Sequence, residues 1–191
     1  MKKIIVITTI FLLFLGLSSQ APADNFKAGF GASYYAPTDL NFKEPYGTGS
    51  MMFTASLGLN LSERLELRGE FNYFSTKGKM TLSKEEITYI FMPIAMGFRH
   101  KVFKAGRISP YLGLGADLCS YKEKVPERFG KKVTGSKVGF HGELGVHVKL
   151  AKVFYLDFNL RYINVNDEPF KEGIKRRLGG LRAGIGVEYW Y

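Results

Sequence analysis

Beyond residue 24 the chain alternates apolar and polar side chains, and no window sustains a 3.6-residue apolar period. A period of two marks strands with two unlike faces. The first strand sets Phe26, Ala28, Phe30, Ala32 and Tyr34 against Lys27, Gly29, Gly31 and Ser33. The second sets Met51, Phe53, Ala55, Leu57, Leu59 and Leu61 against Met52, Thr54, Ser56, Gly58 and Asn60. The third sets Leu65, Leu67, Gly69, Phe71 and Tyr73 against Glu66, Arg68, Glu70 and Asn72. A fourth, about Ile87 to Phe98, is apolar on both faces, so its register stays open. Pro93 inside it counts against a well-paired central strand.

The pattern then resumes. The fifth strand sets Leu112, Leu114, Ala116 and Leu118 against Tyr111, Gly113, Gly115, Asp117 and Cys119. The sixth runs from Val138 to Leu150, with Phe140, Gly142, Leu144, Val146 and Val148 facing one way and Gly139, His141, Glu143, Gly145, His147 and Lys149 the other. The seventh sets Phe154, Leu156, Phe158, Leu160 and Tyr162 against Tyr155, Asp157, Asn159 and Arg161. The eighth sets Leu181, Ala183, Ile185, Val187, Tyr189 and Tyr191 against Arg182, Gly184, Gly186, Glu188 and Trp190. Connections after the odd strands are long and polar, about Pro37 to Ser50, Thr76 to Glu86, Lys122 to Lys137 and Asn166 to Arg177. Those after the second and sixth are tight turns near Ser62-Glu63 and Ala151-Lys152, and Arg99 to Ser109 is intermediate.

Alternation alone does not say which face points outward; a soluble barrel with an apolar interior is the rival. Three features favour the membrane. The strands reach 10 to 13 residues, longer than the usual five or six and suited to a tilted crossing of about 9–11. None of the seven alternating apolar faces carries a charge, whereas one Arg or Lys there would cost about 2–4 kcal/mol at a bilayer midplane. Aromatic residues also gather at strand ends: Tyr34, Tyr35, Tyr73, Phe74, Tyr121 and Tyr162 toward the long loops, Phe154, Tyr189, Trp190 and Tyr191 toward the turns. Ring bodies with polar edges favour the membrane–water boundary. Hydrocarbon offers no partner to an open strand edge, so the sheet must close. The expectation is an all-β, eight-stranded, antiparallel, up-and-down transmembrane β-barrel over residues 24–191.

Residues 1–23 read as an address. Lys2 and Lys3 precede an apolar run from Ile4 to Leu17, then Ser18-Ser19-Gln20 and the small triplet Ala21-Pro22-Ala23. This is the charged, apolar and cleavage order of a secretory signal peptide, expected to be cut near Ala23. Losing Lys2 and Lys3 takes the net charge from +10 to +8. Export argues against a nucleic-acid partner despite the basic balance. The single Cys, Cys119, excludes a disulfide framework and any multi-cysteine metal site.

Two stretches carry a family likeness. Pro110-Tyr-Leu-Gly-Leu-Gly-Ala116, and the ending Leu181-Arg-Ala-Gly-Ile-Gly-Val-Glu-Tyr-Trp-Tyr191, resemble small outer-membrane β-barrels of the OmpA-, OmpX- and OmpW-like kind. The resemblance implies a bacterial outer-membrane location. It also implies that Val187, Tyr189 and Tyr191 form the signal read by the barrel-assembly machinery. The chain stops at the barrel, so the peptidoglycan-binding domain of longer OmpA-type proteins is expected to be missing.

The polar faces supply Lys27, Arg68, Lys149, Arg161 and Arg182 against Glu66, Glu70, Asp117, Glu143, Asp157 and Glu188. So near a balance predicts a paired network filling the lumen; an ion-selective pore more often shows one dominant sign. His141 and His147 share a face with Glu143 between them, the makings of a base, but no serine lies on that face and no G-x-S-x-G or H-E-x-x-H segment occurs. Six residues separate the histidines by about 20 Å along a strand, too far for one metal ion. We therefore expect no cofactor, no metal and no enzymatic activity, and a structural or interaction role in outer-membrane lipid. A narrow conduit for small or hydrophobic molecules is the alternative, followed by a lipid-modifying enzyme. The third long loop has a net charge of +4, and Lys131, Lys132, Arg176 and Arg177 are candidates for contact with lipopolysaccharide phosphates.

Overall fold

In hydrocarbon a strand satisfies its backbone only when both edges are paired, and a closed ring of strands leaves no edge over. The computed structural model describes residues 25–79, 85–124, 133–165 and 179–191. They form that ring. In order come β1 (Phe26–Pro37), helix α1 (Leu40–Tyr46), β2 (Ser50–Asn60), β3 (Leu65–Lys79), β4 (Glu86–Lys101), β5 (Ile108–Lys124), β6 (Val133–Lys149), β7 (Phe154–Asn164) and β8 (Gly180–Trp190). Each strand pairs antiparallel with its sequence neighbours, and β8 closes on β1. At the junction the Phe26 and Tyr191 backbones bond to each other in both directions, at 3.3 and 2.8 Å.

The stagger follows from the pairing. Partners followed from Lys27 lead through Gly58, Arg68, Gly97, Gly115, His141, Ile163 and Gly180 back to β1 at Pro37, ten residues beyond the start. For eight strands that shear corresponds to a tilt of about 43°, within the range of closed barrels. At that tilt the 17 residues of β5 rise about 41 Å, against about 25 Å for the apolar band of such barrels. The walls built by β3 to β6 therefore stand well beyond the bilayer, and they exceed the 10 to 13 residues that the pattern predicts.

Burial is inverted relative to a soluble barrel. Phe30 (76%), Leu114 (74%) and Phe140 (68%) are among the most exposed apolar side chains, while Arg99, Arg161, Arg182, Lys27 and Glu66 are among the most buried. Apolar side chains cover the outside and ionised ones fill the axis.

β4 corrects the expected end at Phe98: it continues through Arg99 to Lys101. Its register is also settled, with Ile87, Tyr89, Phe91, Ala95 and Arg99 buried and paired neighbours on both sides. The ladder to β3 has a gap opposite Pro93, running from Phe71↔Ile94 to Phe74↔Phe91. Proline lacks the N–H that a ladder needs, and the Asn72 side-chain amide donates to the Pro93 carbonyl at 3.3 Å instead.

At the loop end the interior turns apolar. Tyr35, Met52, Phe74, Ile87, Tyr89, Phe91, Cys119, Ile163 and Val165 form one buried cluster, with Tyr121 against it. Tyr35, Phe74 and Tyr121 thus lie inside the barrel and not in the outer belt expected of them; so does Trp190, stacked on Tyr155 at 3.6 Å. Tyr34, Tyr73, Tyr162, Phe154, Tyr189 and Tyr191 do face outward. The first long connection folds into α1, whose Tyr46 enters the cluster, lies 5.5 Å from the Tyr89 ring and donates its hydroxyl to Glu123.

Candidate functional site

The middle of the lumen is a single ionic assembly. Alternation carries one charged residue after another inward from β1, β3, β4, β6, β7 and β8, and the tilt brings them to a common level. Glu70 lies among four guanidinium groups: Arg68 Nε at 2.8 Å, Arg161 Nη1 and Nη2 both at 2.8 Å, Arg182 Nη1 at 3.3 Å and Arg99 Nη2 at 3.5 Å. Glu143 receives Arg99 Nε at 2.5 Å and Arg161 Nη2 at 2.6 Å. Glu188 receives Arg68 Nη1 at 2.6 Å and the Trp190 indole N–H at 3.0 Å. Lys27 bonds Glu66 at 2.5 Å, and Arg68 reaches the other oxygen of Glu66 at 3.3 Å.

All of these groups are buried, and burying an ion without a partner costs several kcal/mol. Here each carboxylate meets at least one cation. Charge-assisted bonds at these lengths are the strong kind. Of the predicted lumen charges, Lys27, Glu66, Arg68, Glu70, Glu143, Asp157, Arg161, Arg182 and Glu188 join this assembly. Asp117 does not reach the arginines; it holds His141 Nδ1 at 2.7 Å. Lys149 departs from the prediction. It stands at the end of β6, partly exposed, with Nζ 5.8 Å from the Tyr155 ring. Arg99, which the sequence pattern left in a connection, takes the fifth cationic place.

The two histidines are separated, as their spacing requires. His147 is fully buried beneath Tyr111, with ring centroids 4.6 Å apart. Its Nε2 lies 3.3 Å from Glu188 and 3.7 Å from Asp157. These three residues could bring three ligand atoms together, but Arg68 and Arg99 already pair with the same two carboxylates, and two guanidinium charges oppose a dication there. Ser109, which the sequence also left in the connection, is the cross-strand partner of His147, yet neither ring nitrogen has a hydrogen-bond partner. No serine–histidine relay is assembled at that pair.

Between the assembly and the glycine-lined wall of β1 and β8 lies a cavity of about 20 Å³, bordered by Gly31, Ser33, Ser56, Arg182 and Gly184. That is room for about one water molecule. Toward the turn end, Lys27 Nζ sits 3.7 Å from the centre of the Trp190 ring. Val187, Tyr189 and Tyr191 all point outward from β8. Lys131, Lys132, Arg176 and Arg177, with the expected leader, lie outside the described residues.

This architecture is shared. The crystal structure of Neisserial surface protein A superposes with a TM-score of 0.65 at 14% identity, covering 87% of this chain and 97% of that one. OprG of Pseudomonas aeruginosa gives 0.68 at 14% identity, with 88% and 96% covered. Outer membrane protein W of E. coli gives 0.55 at 12% identity, with 90% and 100% covered. Identities this low establish a common fold and no common activity. Among curated proteins none matches the chain in sequence. The family profile described as the outer membrane protein beta-barrel domain matches residues 9–189, and the chain belongs to that family.

Proposed function

We propose that the protein is a closed outer-membrane barrel with a structural or interaction role: a rigid stave that holds four surface loops, with its turns and termini in the periplasm. One observation carries this reading. The lumen is crossed by a buried, mutually paired set of arginines and carboxylates, and the aromatic cluster under Tyr46 lies above it. A solute on the axis would have to part both. Separating a buried pair costs about 3–5 kcal/mol, and several would have to open together. An ion pathway instead keeps its charges of one sign facing water.

The apolar cluster at the loop end favours one alternative, a pocket or conduit for hydrophobic molecules. Recording from the purified barrel in planar bilayers tests the first reading: no steady conductance of porin size is expected, and a stable open level of that size refutes it. Uptake of a small hydrophobic dye into liposomes bearing the barrel tests the second. Rates equal to protein-free liposomes uphold the closed reading; faster uptake that Phe91→Ala changes upholds the conduit.

A further inference from the structure

The turn end carries charge that the lumen does not use. Three turns, residues 61–64, 102–107 and 150–153, join β2 to β3, β4 to β5 and β6 to β7. With the strand ends beside them they hold Arg64, Lys101, Lys104, Arg107, Lys149 and Lys152, six cations, against the single acid Glu63. Lys101 and Lys149 lean into the mouth: Lys101 Nζ donates to Asn60 at 3.2 Å and lies 5.0 Å from the Trp190 ring. Arg64, Lys104, Arg107 and Lys152 are exposed and have no ion-pair partner among the described residues.

Apolar side chains share these turns. Leu61 (50%), Val102, Phe103 (56%) and Leu150 (54%) are exposed at the same level, where the outward apolar band ends. A bare cationic patch reads as a solvated surface; a cationic ring set on an apolar rim places each charge beside hydrocarbon. Long Lys and Arg stems lie along acyl chains while their heads reach the phosphate level. At a tilt of about 43° turns two strands apart are spaced about 13 Å along the rim, so each basic turn addresses its own headgroup. A protein partner would be met by one contiguous patch, not by three separated turns with greasy flanks.

We propose that this rim binds the anionic headgroups of glycerophospholipids in the periplasmic leaflet, phosphatidylglycerol being the simplest. Arg64 and Arg107 would grip phosphate oxygens in pairs and Lys104 and Lys152 act as point charges. The leaflet follows from the orientation proposed above, whereas the lipid preference follows from the rim alone, so the two are tested separately.

The test uses the full barrel in phosphatidylcholine vesicles doped with spin-labelled phosphatidylglycerol or phosphatidylcholine. The immobilised fraction in the electron spin resonance spectrum reports association. A severalfold preference for phosphatidylglycerol is expected, falling with salt. One basic side chain near an anionic surface is worth about fivefold, so Arg64→Gln, Lys104→Gln, Arg107→Gln and Lys152→Gln combined should abolish the preference, bringing it close to one. Unchanged Trp190 emission shows that the variant is folded. Equal preference in wild type and variant overturns the proposal, as does a preference lost only when Lys77, Lys79, Lys122 and Lys124 at the loop end are neutralised. For the leaflet, Ser62→Cys should resist an impermeant maleimide in intact cells and react once the outer membrane is opened. Labelling in intact cells overturns the periplasmic assignment and leaves the vesicle result standing.

Discussion

Replacing Glu70 by glutamine changes one charge and almost no volume, so its cost reports the lumen assembly directly. In the wild type the carboxylate accepts from Arg68 Nε and Arg161 Nη2 at 2.8 Å and has Arg161 Nη1 in ionic contact at 2.8 Å, with Arg182 at 3.3 Å and Arg99 at 3.5 Å. With charge centres about 4 Å apart, each close pair attracts by about 4 kcal/mol at an effective dielectric constant of about 20. Most of that gross attraction offsets desolvation. Removing the anion, however, leaves four like charges facing one another without it. The expected loss is about 3–5 kcal/mol of unfolding free energy. The assay is equilibrium unfolding by urea in lipid vesicles, followed by the emission of Trp190, the one tryptophan of the chain, which sits in the lumen mouth against Tyr155. Arg161→Met supplies the partner for a double-mutant cycle, and a coupling of at least about 1 kcal/mol is expected for residues in one network. If both single variants unfold within about 0.5 kcal/mol of the wild type and the cycle shows no coupling, the charges are bystanders and the reasoning fails.

Other consequences are equally specific. A Cβ built on Gly97 would sit 2.6 Å from the Leu114 carbonyl and 2.9 Å from the Gly115 Cα, while one on Gly142 meets nothing nearer than 3.7 Å. Gly97→Ala should therefore cost about 1–3 kcal/mol by overpacking and Gly142→Ala little, as measured by the same urea unfolding. Cys119 is fully buried and should resist maleimide in the folded barrel; Tyr46→Ala, by removing the ring and its bond to Glu123, should speed labelling at least several-fold, read by mass spectrometry. Neutralising Lys131, Lys132, Arg176 and Arg177 should weaken retention of lipopolysaccharide during purification, and the difference should shrink as salt rises.

Much of the molecule was legible in the chain because a period of two is an unforgiving constraint: one slip exchanges every inward residue for an outward one. That is why nine members of the lumen network, from Lys27 to Glu188, can be read from the pattern, though not who pairs with whom. The misreadings have physical causes. Where both faces are apolar, as from Ile87 to Phe98, alternation falls silent, and with it went the continuation to Arg99. Adjacent aromatic residues defeat it too: in Tyr34-Tyr35 and Tyr73-Phe74 one ring faces lipid and the next the lumen, and composition alone puts both in a belt. Lys149 sits on the right face, but at the strand end, where its stem carries the charge past the network to the mouth. α1 leaves no mark in the pattern because a seven-residue helix holding Pro45 presents no apolar period and breaks the usual rule for helix interiors.

Along every strand the side chains alternate between the lipid-facing wall and an ionic axis. Nitroxide labels placed singly at Val138, Phe140, Leu144 and Val146 of β6, and at Gly139 and His141 between them, measure it in a bilayer through relaxation by oxygen and by a water-soluble nickel chelate. The account predicts that labels at Val138, Phe140, Leu144 and Val146 are relaxed strongly by oxygen and hardly by nickel, most of all near mid-strand, while those at Gly139 and His141 are shielded from oxygen. Labels at Phe140 and Leu144 that respond to nickel rather than oxygen would contradict it.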